Sequence, residues 1–185
     1  MGARAATSTT GGARVRPSTE ADLAAIQAIY ARHVRDGLAS FEEVPPDLAE
    51  MARRRAEVVG RGLPHLVAEV DGRALGYAYA GPYRMRIAYR FTVEDSVYVA
   101  PEATGRGLGR LLLAELIQRS EARGARQMVA VIGDSGNLGS VRLHARAGFR
   151  EAGTLRAVGF KLGRWVDSVL MQRPLGQGEE TLPNG

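Results

Sequence analysis

The stretch from Val97 to Arg110, VYVAPEATGRGLGR, constrains this chain more than any other. It reads as a strand ended by Pro101, a glycine-rich turn and a helix starting near Leu108. Such a turn aims several backbone N–H groups at one point, where the helix dipole adds partial positive charge. Glycines are needed there because a side chain would hold an anion away from the backbone. Arg106 and Arg110 reinforce the field. The ligand these features favour is a diphosphate. A P-loop is excluded, because no Gly-Lys pair occurs in the chain. A dinucleotide fingerprint counted from Gly107 fails at Leu112, and the loop lies mid-chain instead of opening a βαβ series. Taken alone, the segment is either an anion cradle or a structural glycine turn.

Composition narrows the chemistry. The 185 residues suit one domain, and 45% hydrophobic with 24% charged residues is the balance of a globular protein. With no cysteine there is no disulfide framework, thiolate metal site or acyl-cysteine route. Three histidines (His33, His65, His144) are too few for a histidine-rich metal cluster, so no metal is expected. Of 25 basic residues only Lys161 is lysine, and the net charge of +5 suggests an anionic partner. Three of those charges, Arg4, Arg14 and Arg16, fall in the acid-free first 16 residues. No basic stripe interleaved with aromatics appears, so nucleic acid is not expected as a partner. No run approaches a membrane span, since the best one, Leu111–Ile117, is broken by Glu115. Without the apolar core of a signal peptide, the expected location is cytoplasmic. Residues 1–13 read as a flexible leader, 14–175 as the domain and 176–185 as a flexible tail.

The element order reads β-α-α-β-β-β-α-β-α-β-β, a single α+β domain with a central mixed sheet. A strand at Arg14–Arg16 precedes a helix capped near Thr19, with Asp22 three residues on and Leu23, Ile26, Ile29 and Tyr30 on one face. Pro45-Pro46-Asp47 opens a second helix reaching about Val59. Leu66–Val70 and Ala74–Tyr79, joined at Asp71-Gly72, form a hairpin that ends at Pro82. Phe91–Val99 is a strand, Leu108–Arg123 a helix closed by Gly124, and Gln127–Ile132 a strand. Leu138–Ala147 is a helix closed by Gly148, and two strands lie between Phe149 and Gln172. In the strand from Phe91, Glu94 shares a face with Thr92, Ser96 and Tyr98, opposite Val93 and Val97. Asp95 then falls on the apolar face, which a β-bulge would reconcile.

Thr104 to Gly109 resembles the acetyl-CoA loop Q/R-x-x-G-x-G/A of the GNAT N-acetyltransferase superfamily, with Thr104 in place of the usual Gln or Arg. SFEEVPPD (Ser40–Asp47), LGYAYAGPYRMRIAYRFTVEDSVYV (Leu75–Val99), GDSGNLGSVRLHARAGF (Gly133–Phe149) and GFKLGRWVDSVLMQRPL (Gly159–Leu175) are similar to the phosphinothricin acetyltransferase family, which includes the methionine sulfone/sulfoximine acetyltransferases. The similarity spans about Val15–Leu175. It implies a GNAT fold: a mostly antiparallel mixed sheet flanked by about four helices and splayed between its fourth and fifth strands.

The resemblance further implies direct acetyl transfer from acetyl-CoA, as co-substrate, to the amine of a small amino-acid-like molecule. Val97, Tyr98 and Val99 would pair with the pantetheine arm, and Thr104, Gly105, Arg106, Gly107, Leu108, Gly109 and Arg110 would take the pyrophosphate. Asn137 and Ser140 would meet the pantetheine, although Asn137 is equally a helix N-cap. Glu94 is implied as general base and a substrate contact; from the residues alone it is as readily a solvated strand carboxylate. His144 is either the acid that protonates the leaving thiolate or a packed helix residue. Arg84 and Arg86 would bind the substrate's acidic group if that segment is extended, or else be surface charge. Phe41 would wall the pocket, with Tyr83 and Tyr89 as weaker candidates. His33 and His65 carry no motif and receive no role. Phe160 and Trp165 are expected to pack in the C-terminal strands or at a dimer contact, and a homodimer is expected. The rival readings are an acetyltransferase for another amine, protein or small molecule, and a non-catalytic acyl-CoA-binding module.

Overall fold

The computed structural model describes residues 9–10 and 12–183, so most of the expected leader, residues 1–13, lies outside the described residues. Its elements are β1 (Ala13–Pro17), α1 (Leu23–Asp36), α2 (Leu48–Gly60), β2 (His65–Val70), β3 (Arg73–Pro82), β4 (Thr92–Val99), α3 (Leu108–Ala122), β5 (Gln127–Gly133), α4 (Leu138–Arg146), β6 (Arg150–Lys161) and β7 (Arg164–Pro174). This is the order read from the sequence. The strands form one sheet, β1-β2-β3-β4-β5-β7-β6, extended beyond β1 by the pair Thr9–Thr10. Every neighbouring pair is antiparallel except β4 and β5.

Local chemistry explains the element boundaries. The Asp22 carboxylate accepts from the Thr19 amide at 2.7 Å and hydroxyl at 2.9 Å, and it receives both Arg16 terminal nitrogens at 2.7 Å. That fork fixes the turn from β1 into α1 and holds the Asp22 pKa down at about 2. Asp47 caps α2 by accepting from the Glu50 amide at 2.8 Å. Asp71 and Gly72 both have positive φ, 49° and 75°, as a two-residue hairpin turn requires. After β7, Arg126 donates to the carbonyl and hydroxyl oxygens of Thr181, tying the C-terminal segment to the start of β5.

Strand alternation separates two faces of the sheet. Tyr77, Tyr79 and Tyr98 face α1 and α2 in a row of rings: His65–Tyr79 at 5.6 Å, Tyr77–Tyr79 at 6.3 Å and Tyr77–Tyr98 at 5.2 Å. Tyr30 of α1 meets Tyr98 edge-on at 5.0 Å. On the opposite face α3 buries Leu108, Leu112, Leu113, Leu116 and Ile117. Gly76 accommodates this helix, because a Cβ there would lie 3.1 Å from Leu112.

The parallel register of β4 and β5 ends at Asp95↔Ala130. Beyond it Ser96–Val99 pair only with β3, and Val131–Gly133 only with β7. The strands therefore fork. Residues 37–39, after α1, seat against the far end of β5, where a Cβ on Gly133 would lie 2.3 Å from the Leu38 carbonyl oxygen. Since both sides of that contact are backbone, Gly133→Ala should destabilise the fold by about 1–3 kcal/mol in urea unfolding.

Phe160 and Trp165 depart from the expectation of packing within the strands. They are 58% and 68% exposed and meet edge to face at 5.3 Å, directly opposite each other beside the β6–β7 turn. Leu155, Val158 and Leu162 on the same hairpin are also exposed, so no interior is available to the rings there.

Candidate active site

The fork opens into a cleft of about 1220 Å³. Two hydrogen bonds fix which backbone groups of β4 face it. The Ala100 amide donates to the Leu75 carbonyl and the Tyr83 amide to the Thr92 carbonyl, so the even-numbered residues Glu94, Ser96 and Tyr98 use their backbone groups on β3. The odd-numbered residues point theirs the other way, and beyond Asp95 no strand answers them. Val97 and Val99 thus present main-chain groups to the cleft, while Tyr98 contributes its ring to the other sheet face. One of these groups is engaged: His33 Nε2 lies 2.9 Å from the Val99 carbonyl oxygen.

The glycine loop forms one end of the cleft. Gly105 and Gly107 hold φ of 78° and 81°, a backbone shape side-chain-bearing residues rarely adopt, and a Cβ on either would meet nothing within 4 Å. Glycine is therefore required by conformation, and the space in front of the loop is open. Thr104, Gly105, Gly107, Leu108, Gly109 and Arg110 line the cleft; Arg106 is exposed and stands outside its lining. The Thr104 hydroxyl turns back to the Ala100 carbonyl at 3.4 Å and does not reach forward. An arginine at this position would add a charged donor. Thr104→Arg should lower the KM for acetyl-CoA about three- to tenfold in steady-state assays. At the opposite wall Asn137 caps α4, its side-chain oxygen accepting from the Ser140 amide at 3.3 Å.

The two residues after Val93 serve opposite faces. Glu94 lies half-buried on the α1/α2 face; burial raises its pKa, the Arg84 charge opposes this, and Asp95 adds to it. Asp95 lies on the α3/α4 face, only 6% exposed, with Oδ2 2.9 Å from His144 Nε2. The expected bulge is absent, since β3 and β4 pair without a register shift from Pro82↔Val93 to Gly76↔Val99. A buried ionic partner, and not a kink, accommodates the carboxylate among apolar residues. His144 is itself 3% exposed, with Nδ1 2.8 Å from the Ser140 carbonyl and its ring edge-on to Phe149 at 5.0 Å. Burial opposes its protonation, but Asp95 and the Ser140 carbonyl together raise its pKa above the ordinary value.

Residues 26–149 match the model of the acetyltransferase (GNAT) family. The chain belongs to the GNAT acetyltransferase family. It is 62% identical over 169 residues to a phosphinothricin N-acetyltransferase of Alcaligenes faecalis, covering 91% of this chain and 86% of that one. It is 44% identical over 161 residues to an L-methionine sulfoximine/L-methionine sulfone acetyltransferase of Pseudomonas aeruginosa, covering 86% and 93%. Among solved structures, a GNAT phosphinothricin acetyltransferase from Sinorhizobium meliloti in complex with AcCoA superimposes with a TM-score of 0.91 at 48% identity, covering 94% of each chain.

In this GNAT acetyltransferase the remaining sequence candidates are dispersed. The chain from Tyr83 to Arg90 is not extended but bends through a 3-10 turn at Ile87–Tyr89, so the condition set for Arg84 and Arg86 to act as a pair is not met. Arg84 lies over the Tyr83 ring, 4.4 Å from its centroid, and its charge reaches Glu94. Arg86 is exposed at the start of the turn. Tyr83 and Tyr89 meet edge to face at 5.7 Å. Phe41 lies outside the cleft lining, its ring resting where a Gly159 Cβ would be, 2.5 Å from the nearest ring carbon. His65 is buried, hydrogen-bonded to Ser18 at 2.9 Å and held near pKa 4 by burial, a packing residue of the tyrosine row. His33 lines the cleft, which no local pattern announced, because its partner is 66 residues away.

Proposed function

We propose that this protein is a cytoplasmic, homodimeric, acetyl-CoA-dependent N-acetyltransferase that acetylates the amine of a small amino-acid-like molecule, of the phosphinothricin, methionine sulfone or methionine sulfoximine kind, by direct transfer in a ternary complex. The observation that carries it is the fork: main-chain groups of Val97 and Val99 open to a cleft that starts at the glycine loop, with Glu94 on one side of the strand and His144 on the other. The Alcaligenes and Pseudomonas relatives support the substrate class.

Acetyl-CoA supplies an already activated acyl group, so the protein needs to bind, orient and move protons. Gly105 to Arg110 receive the pyrophosphate, with Arg110 the better placed of the two loop arginines. The Val97 and Val99 backbone aligns the pantetheine and polarises the acetyl carbonyl, with Asn137 and Ser140 at the α4 side. Glu94, directly or through a water, takes a proton from the substrate ammonium. His144 gives one to the departing sulfur. Arg84, whose charge reaches Glu94, holds the substrate's acidic group, and Arg86 and Phe41 are further candidate substrate contacts. The exposed Phe160–Trp165 pair, with Leu155, Val158 and Leu162, supplies the self-association surface.

An acetylation assay with free CoA detection, run on phosphinothricin, methionine sulfone, methionine sulfoximine and polyamines, tests the reading. Turnover of the amino-acid analogues supports it. Inert analogues with rapid turnover of another amine would overturn the substrate and leave acetyl transfer standing; no turnover of any amine would favour a binding module. For the dimer, Trp165→Arg should shift the sedimentation-velocity mass from two chains to one, and a one-chain mass for the unmodified protein would remove that part.

A further inference from the structure

Asp95 is the last residue of β4 paired to β5, so its side chain stands where the cleft begins. Its carboxylate and the His144 imidazole are almost fully enclosed, with side chains 2% and 4% exposed. Both ring nitrogens of His144 face oxygens: Nδ1 the Ser140 carbonyl at 2.8 Å, Nε2 the Asp95 carboxylate at 2.9 Å. A carbonyl and a carboxylate only accept, so the doubly protonated imidazolium satisfies both contacts at once. Asp95 Oδ1 is buried with no hydrogen-bond partner, so no other donor competes with the imidazolium for this charge. Asp36 and Asp134 line the same cleft, and β6, which packs on α4, begins with Arg150 and Glu151. Arg173 of β7 donates to the Ala147 carbonyl, Arg142 and Arg146 of α4 and Arg110 of α3 line the cleft, and β5 bears no charged side chain.

We propose that Asp95 is the positioning residue of the proton donor, holding His144 oriented and charged at the root of the fork where the thiolate departs. This rests on the reading of His144 as the donor. In the step, the C–S bond of the thioester breaks as the C–N bond forms. The sulfur keeps the electron pair and takes the proton of the Ser140 hydroxyl, which lines the cleft 3.4 Å from Nδ1 and regains a proton as the imidazolium Nδ1–H bond breaks. The substrate ammonium loses two protons: one replaces the proton His144 gave, and the other passes through Glu94 to solvent.

The test is the pH profile of kcat for the intact enzyme and for Asp95→Asn, His144→Gln and the double variant. Losing the carboxylate leaves burial to lower the His144 pKa, so Asp95→Asn moves the alkaline limb down by about one pH unit or more. At alkaline pH its kcat falls about tenfold or more while the KM for acetyl-CoA stays within about threefold, and in the His144→Gln background the same change has less than about a twofold effect. An alkaline limb unmoved by His144→Gln removes the donor and this proposal with it. A limb lost in His144→Gln but unmoved in Asp95→Asn, or an equal loss of kcat in both backgrounds, overturns the role of Asp95 alone. Should Asp95→Asn not fold, NMR titration of the unmodified protein decides, its three histidines being separable. A His144 midpoint above the ordinary histidine value supports the proposal, and one at or below it overturns it.

Discussion

Replacing Glu94 with Gln lowers kcat by about 10²- to 10⁴-fold, the range expected when a general base is lost. The substitution keeps shape and polarity, and Glu94 does not line the cleft proposed for acetyl-CoA, so the KM for acetyl-CoA should stay within about threefold. The pH profile makes the assignment specific. In the proposed role of base Glu94 works ionised, and burial holds its pKa above the ordinary carboxylate value, so the unmodified enzyme should lose rate as the pH falls through that raised pKa. Glutamine does not titrate there, and the acid limb disappears. Steady-state kinetics with free CoA detection across the acid range reads both effects. A variant that keeps its kcat within threefold and retains the acid limb would remove Glu94 from the proton path.

His144→Ala has the largest effect on stability. It strands the Asp95 carboxylate, whose other oxygen already lacks a partner, and so costs about 3–5 kcal/mol. For a chain of this length the thermal midpoint should drop by about 6–20 °C. Replacing both partners with apolar groups, Asp95→Leu together with His144→Phe, should restore stability to within about 2 kcal/mol while kcat stays low, because a buried ion pair is worth little against good packing. Calorimetry on both variants separates the pair's structural cost from its catalytic use. The sign with pH is set by His144, whose folded-state pKa is raised. The stabilisation is fully present below the unfolded histidine value of 6.5 and is lost as the pH rises through the folded value. A single variant as stable as the unmodified protein would contradict the buried pair.

Where the chemistry is local, the sequence showed it. The Thr19/Asp22 turn, the Asp71-Gly72 hairpin and the Gly105–Gly109 loop each depend on backbone shape and near neighbours, and each stands where residue order placed it. Glu94 was assigned to its face by alternation alone. Asp95 was visible as an anomaly, a carboxylate among apolar residues, and the bulge expected from it is absent. Only the packing of α4 over β4 supplies its partner, 49 residues on. His33 left no trace, since its neighbours in sequence say nothing about Val99. The Arg84/Arg86 spacing assumed an extended chain, and the chain instead bends at Tyr83, Met85 and Arg86.

By itself, then, the sequence determined the elements, their order and a glycine-rich strand-to-helix loop, because hydrogen bonding, φ preferences and apolar periodicity act over a few residues. The tertiary structure decided the fork, the buried Asp95–His144 pair and the entry of His33 into the cleft. Those depend on which strand lies beside which and on where the β4–β5 pairing stops, at Asp95↔Ala130. Burial is what turns this placement into chemistry. A carboxylate and an imidazole that water would keep apart are held 2.9 Å from each other once enclosed, and no local pattern carries that contact.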